Sequence, residues 1–229
     1  METIKQHNEI LTIFSPNIVH IGLTGKRGSG KTEASKCFRY YFPDWFIYRV
    51  GFSTNLKEIL ANATGGSVET IEKNKDTPYL RAVLQYLGSQ MRALDRNSLI
   101  DACRKDLEFL LYQKQNCSAD HILAVYEDVR KQEEVDFIRS VGAVDRAFIF
   151  LVERSAKTNP DAGWMTPLIN QIDEHETERE VDRIKWDRTI DNSQTLVYLK
   201  HQIGYISGYI KERLEQTGYY NGTTTVSTK

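Results

Sequence analysis

No run of apolar residues in this chain approaches the roughly 20 that a membrane-spanning helix needs, so nothing in it reads as a span. The N-terminal stretch METIKQHNEILTIFSP lacks the basic-then-apolar order of a secretion signal. An excess of charge is missing too: 30 Lys and Arg stand against 31 Asp and Glu, a formal net charge of −1. Such a balance provides no global field for gripping a nucleic acid polymer or an anionic membrane, so any phosphate must be held by local design. Cysteine is scarce. Cys37, Cys103 and Cys117 are odd in number and form no C-x-x-C pair, which reads as buried, reduced thiols in a cytoplasmic protein. His20, His121, His175 and His201 show no metal-ligand spacing with them, which argues against a structural metal. Internal repeats and low-complexity blocks are absent, and 229 residues suffice for a single α/β domain over 1–229 with a mobile insertion.

What is present is concentrated near the N-terminus. Residues 17–24, NIVHIGLT, read as a buried strand, and residues 31–41 read as a helix stopped by Pro43. Between them lies Gly25-Lys26-Arg27-Gly28-Ser29-Gly30-Lys31-Thr32, a complete fit to G-x-x-x-x-G-K-[ST]. Strand, glycine loop and helix together form the context in which this motif cradles an NTP. Glycines let the backbone N–H groups approach the phosphates, and the helix adds its positive end. Lys31 then serves the β- and γ-phosphates, and the Thr32 hydroxyl serves Mg²⁺. Lys26 and Arg27 admit two readings: extra charge where two phosphate-bearing ligands meet, or a solvated surface pair.

Further strands are expected at 45–51, 121–126, 147–152 and 186–190, with helical patterns between them, most clearly Leu99 to Leu111 and Leu196 to Leu214. Gly204 and Gly208 interrupt the last helix at about 1 kcal/mol each relative to Ala, which implies close packing against a neighbour. Strands alternating with helices imply an α/β fold of three layers around a mainly parallel five-stranded sheet. Residues 153–185, with Arg154, Lys157, Arg179 and Arg183 and the turn at 159–163, read as a closing lid or as a solvated connector. Trp164 would stack on a base or plug the core edge. Residues 218–229 read as a frayed tail, and residues 1–16 carry no functional signal.

The loop alone does not choose among motors, switches and kinases. Asn74-Lys75-Asp76-Thr77 places its Asp one residue too early for the guanine-reading N-K-x-D, and no apolar strand ends in D-E as a motor's would. The third strand leads instead into Glu127-Asp128-Val129-Arg130, at the sheet edge where open α/β folds bind ligands. Asp128 there would organise water around Mg²⁺ or hold a substrate hydroxyl, and Arg130 would steady a transferring phosphate. An ion pair at a helix start is the structural alternative.

With these residues in view, most of the span 18–203 resembles the phage-type deoxynucleoside monophosphate kinases, within the nucleoside monophosphate kinase group of phosphate-loop proteins. The resemblance rests on the loop itself, Leu56-Lys57-Glu58, Arg81 to Ser89 (R-x-x-x-Q-x-L-G-[TS]), Asp128-Val129-Arg130 with Glu134 (D-x-R-x-x-x-E), His175 to Glu178 (H-x-[ST]-E) and Asp191-Asn192, in that order. It implies transfer of the ATP γ-phosphoryl group to a deoxynucleoside 5′-monophosphate with Mg²⁺, in a host's cytoplasm if the chain is viral, and it allows a homodimer. Carried over by residue, it implies Gly25 to Thr32 on ATP, Thr32 on the metal, and Lys57, Arg81, Arg130 and Glu134 on the acceptor side. Lys31, Arg130 and Asp128 would be catalytic. Other small-molecule kinases on this scaffold, or a non-catalytic NTP-binding module, remain as alternatives.

Overall fold

The computed structural model describes residues 18–114, 121–154 and 175–219. Five strands form one sheet: β1 (Ile18–Thr24), β2 (Phe46–Val50), β3 (Ile122–Val129), β4 (Ala147–Glu153) and β5 (Arg188–Asp191). Their order is β2-β3-β1-β4-β5 and every neighbouring pair is parallel. The sequence predicts a mainly parallel five-stranded sheet, and that is the sheet found.

Successive residues of a strand face opposite sides, and here both sides are apolar. On one face Ile18, Ile122, Ala124, Tyr126, Ala147 and Ile149 pack against Cys103, Leu107, Val135 and Ile138. Those partners come from α5 (Ser98–Lys114) and α6 (Gln132–Arg146). On the other face Val19, Ile21, Leu23, Phe148 and Phe150 pack against Ala34, Leu199, Ile203 and Ile210, from α1 (Lys31–Cys37) and α8 (Leu196–Gln216). A third, smaller core joins Leu56, Leu84 and Leu99 beside the sheet. It is built from α2 (Thr54–Thr64), α4 (Pro78–Leu94) and the start of α5, with α3 (Val68–Asn74) packed on α2.

The helix after β1 covers one face and the helix after β3 covers the other, so a crevice opens at the C-terminal ends of these adjacent strands. A bulge sharpens that edge. β3 advances from Tyr126 to Val129 while β1 advances only from Gly22 to Thr24. Tyr126 and Val129 therefore enter the same core, and Glu127 and Asp128 are both left at the rim.

Differences from the sequence reading are local. The first helix ends at Cys37 and tightens into a 3₁₀ turn, Phe38–Tyr40. β3 extends three residues beyond the expected 126, because the bulge keeps the ladder going. Gly204 does meet a neighbour: a Cβ there would lie 3.0 Å from the Tyr41 ring. Gly208 meets nothing within 4 Å, so close packing explains only one of the two. Tyr219, expected in the frayed tail, is half-buried against the second core. Residues 1–17, Cys117, most of the expected lid including Trp164, and the tail from 220 lie outside the described residues. No helix among the described residues is long and apolar enough to cross a membrane.

His20 on β1 makes stability depend on acid. Its Nδ1 lies 3.0 Å from the Tyr126 hydroxyl, while its Nε2 is buried with no hydrogen-bond partner among the described residues. Burial, with the nearby Arg146 charge, lowers its pKa to about 3. A folded-state pKa below the unfolded value of about 6.5 means that the unfolded chain binds the extra proton, so stability falls as pH drops below that value. Urea unfolding should lose about 2 kcal/mol between pH 7 and pH 5 from this group alone. A His20→Gln variant should flatten that slope, and an unchanged slope would show that other groups set it.

Candidate functional site

The glycine loop joins β1 to α1 and adopts backbone angles closed to most residues. Gly25 has φ +143°, and a Cβ there would sit 2.3 Å from the Val152 carbonyl oxygen. Gly30, at φ +95°, is the N-cap of α1, and a Cβ there would sit 2.1 Å from Asn192 Nδ2. The contact is close because Asn192 Nδ2 donates to the Ser29 carbonyl at 2.8 Å. Asn192 in turn follows β5 directly, and its backbone N–H donates to the Glu153 carbonyl at 2.7 Å. The loop is thus clamped from the far side of the sheet by a residue the sequence offers only as part of a weak motif.

Lys31, 8% exposed, curls back along the loop. Its Nζ donates to the carbonyls of Gly25 and Lys26 at 2.5 and 2.9 Å. Burial pushes its pKa well below the usual lysine value, and the positive charges of Arg130 and Arg81 push it the same way. Phosphate oxygens carry more charge than these carbonyls and would be stronger partners for the same ammonium.

Lys31 borders a crevice of about 730 Å³, lined also by Gly28, Gly30, Thr32, Lys57, Arg81, Asp128, Arg130 and Glu134. The sheet edge and the α2–α4 arm therefore bring these expected residues together. Lys26 and Arg27 do not line it. Lys26 pairs with Asp182 at 3.1 Å, both side chains more than 60% exposed. Crevice volumes of this order suit a small-molecule site.

Around the crevice the cations are held by carboxylates. Lys57 pairs with Glu72 at 2.8 Å, Arg81 with Asp76 at 3.3 Å, Arg92 with Glu134 at 3.0 Å and Arg130 with Glu178 at 2.7 Å. Glu72 also pairs with Lys75. Arg81 Nε and Arg130 Nη1 are both buried with no hydrogen-bond partner among the described residues, and Asp76, the carboxylate that pairs with Arg81, is mostly exposed. Burial first, then the Arg130 charge, lowers the Arg81 pKa. A guanidinium nonetheless stays protonated, so Arg81 is a cation lacking part of its coordination.

Asp128 is occupied. One oxygen accepts the Phe52 N–H at 2.8 Å, and the other accepts the Ser53 N–H at 2.9 Å and the Ser53 hydroxyl. It fixes the turn that opens α2, so its bonds are those of a positioning carboxylate. Glu134, 2% exposed, is similarly committed. It accepts the N–H groups of Arg130 and Lys131 at 2.7 and 3.1 Å while pairing with Arg92. Burial raises its pKa, against the pull of Arg92.

Glu127 also lines the crevice, and no motif in the sequence singles it out. Ser35 Oγ lies 2.5 Å from its Oε1 and 2.9 Å from the Thr32 carbonyl, and Arg49 pairs with it at 3.2 Å. Glu127 and Thr32 both line the crevice, and hard oxygen donors of this kind are what Mg²⁺ takes alongside substrate phosphates. No cluster of three or more His, Cys, Asp or Glu suited to a metal occurs among the described residues.

No family model matches the chain. It is 27% identical over 201 residues to a protein of Acanthamoeba polyphaga mimivirus named "Putative deoxynucleotide monophosphate kinase", covering 81% of this chain and 94% of that one. Among solved structures, a gluconokinase from Sinorhizobium meliloti overlays with TM-score 0.42 at 11% identity, over 87% of this chain and 97% of that one. A shikimate kinase from Aquifex aeolicus overlays with TM-score 0.38 at 14% identity, over 83% and 96%. At such scores the overlays say nothing about substrate.

The loop geometry gives a sharp test. Gly30→Ala introduces both strain and the clash with Asn192, whereas Gly28→Ala, with φ +72° and open space around it, introduces strain alone. Left-handed backbone costs a non-glycine residue about 1–2 kcal/mol. By titration calorimetry, ATP binding should weaken far more in Gly30→Ala than in Gly28→Ala, and equal losses would mean that the Asn192 clamp is unimportant.

Proposed function

We propose that this protein is a kinase that transfers the γ-phosphoryl group of ATP to a deoxynucleoside 5′-monophosphate. One observation carries the reading: Lys31, Arg81 and Arg130, from the glycine loop, α4 and the end of β3, meet at one crevice, where the Arg130 charge adds to burial in lowering the pKa of both Lys31 and Arg81. A single triphosphate is served by the loop. Two further guanidiniums beside it suit a second phosphate, whose charge ATP would otherwise repel. The mimivirus relative's name points the same way.

In this reading Gly25 to Thr32 wrap the ATP phosphates, with Lys31 on the β- and γ-oxygens. Thr32 and Glu127 would hold Mg²⁺, which supplies charge neutralisation between the phosphates. Arg81 and Lys57 receive the acceptor phosphate, and Arg130 lies between acceptor and donor. Asp128 and Glu134 act indirectly: one fixes the turn before α2, and the other fixes the backbone of Arg130. The acceptor's attacking atom is a phosphate oxygen, already anionic, so the step needs no general base. One P–O bond forms at Pγ as the bond to the leaving ADP oxygen breaks. An alcohol acceptor would instead require a base, and Asp128, the carboxylate expected to hold a hydroxyl, has both oxygens bonded to the Phe52–Ser53 turn. Alignment and positive charge are then the main catalytic resources.

An ADP-release panel across deoxynucleoside monophosphates, ribonucleoside monophosphates and nucleosides tests the reading. Stimulation by deoxynucleoside monophosphates is expected. Stimulation only by an unphosphorylated acceptor, or by none, would refute it. Lys31→Ala should abolish turnover in a folded protein. Arg81→Ala should raise KM for the monophosphate by about tenfold or more, the cost of a charge-assisted contact of about 1.5–3 kcal/mol, and leave KM for ATP nearly unchanged. The reverse pattern would place Arg81 on the ATP side.

A further inference from the structure

Glu178 is a buried carboxylate at a site built for anions, and none of the roles above uses it. It lies on the short helix α7 (Glu176–Glu180), far from the loop in sequence. Its side chain is 6% exposed. A single oxygen, Oε2, accepts the Arg27 backbone N–H at 2.9 Å and lies 2.7 Å from Arg130 Nη1. One atom thus ties the outer bend of the phosphate loop to the guanidinium at the end of β3. Burial alone would raise its pKa, but the Arg130 charge and the Arg27 N–H prevail and hold it below the usual carboxylate value.

The surroundings show why such a tie is needed. Arg130 sits among like charges, since Lys31 and Arg81 both register its repulsion. Left to itself, its long side chain would turn away from them. The rest of α7 is docked the same way: Lys131 pairs with Glu176 and Glu180, each at 2.9 Å. The helix is thereby pinned at two points, with Glu178 pointing inward.

We propose that Glu178 is a positioning residue for phosphoryl transfer: it holds Arg130 and the phosphate loop in fixed register, so that the guanidinium meets the phosphate in flight without first reorganising. The proposal rests on the kinase reading above and adds a residue to it. A competing role, in which the carboxylate merely keeps a phosphate's place and must be displaced by ATP, makes the opposite forecast.

The test uses the full-length protein with Glu178→Ala, Glu178→Gln, Arg130→Ala and the double variant Glu178→Ala/Arg130→Ala. Glu178→Ala should lower kcat by about 100-fold, the scale on which small misplacements act, with KM for ATP nearly unchanged. Glu178→Gln keeps the volume and an acceptor for the Arg27 N–H but loses the charge, so it should fall between wild type and Glu178→Ala. It also covers the case of an alanine variant that does not fold. The double variant should lose clearly less than the product of the two single losses, because once Arg130 is gone only the loop contact is left for Glu178 to serve. Tighter ATP binding with undiminished turnover in Glu178→Ala would establish the place-holder and overturn the proposal, as would additive losses. The clamp is also read without turnover, from the NMR resonances of the Arg27 amide and the Arg130 guanidinium. Both should shift and exchange faster with solvent in Glu178→Ala, and unchanged resonances would overturn the proposal. If the wild type transfers no phosphate to any acceptor, the kinase reading fails by itself, and the resonances still decide whether the clamp exists.

Discussion

The repulsion among Lys31, Arg81 and Arg130 is the constraint around which this site is organised. Bringing three cations to one partly dry crevice is unfavourable until anions arrive: burial first, and then the Arg130 charge, lowers the pKa values of Lys31 and Arg81. The fold meets that cost with carboxylates of two kinds. Asp76 is mostly exposed and holds Arg81 at 3.3 Å, a contact that a phosphate can replace at little expense. Glu178 is buried and also bonded to the loop backbone, so it stays committed. Removing one partner of a buried pair leaves an uncompensated charge. On these grounds the first carboxylate is exchangeable and the second is structural.

The sheet makes the convergence possible. Parallel strands deliver all their C-terminal ends to one edge, and the change of covering face between β1 and β3 leaves that edge open. The bulge in β3 then gives its two consecutive acidic residues separate duties. Glu127 turns toward Ser35 on α1, beside Thr32, while Asp128 turns toward the turn that opens α2. The α1 side and the α2 side of the crevice are therefore tied to the same strand, which fixes their spacing. The α2–α4 side, built on Leu56, Leu84 and Leu99, has its own small core beside the sheet.

Local signals in the sequence made the sheet, the loop and its flanking helix legible. Buried strands read as apolar runs, and G-K-R-G-S-G-K-T has few other uses. Lys57, Arg81 and Arg130 could be placed on the acceptor side only through the resemblance, and the structure brings them to one crevice. Long-range partnerships stayed hidden. Nothing near Glu178 announces a contact with Arg27, 151 residues away, and nothing near Asn192 announces the Ser29 carbonyl, 163 residues away. Asp128 is bonded to the Phe52–Ser53 turn, a contact that the motif does not reveal. Strand periodicity cannot reveal a bulge, so neither the place of Glu127 at the rim nor the turn held by Asp128 is legible in the sequence. The motif likewise does not reveal that Lys26, at a variable position of the loop, faces solvent and Asp182.

The central claim is that one crevice holds two phosphate-bearing ligands end to end. A ligand joining adenosine to a deoxynucleoside through five phosphates spans both halves at once, and its affinity tests the claim most directly. Linking two binding events makes the second intramolecular, so titration calorimetry should find it bound at least about 100-fold more tightly than ATP. Binding no tighter than ATP alone would contradict the account, because it would mean that the α2–α4 arm offers no phosphate site in line with the loop.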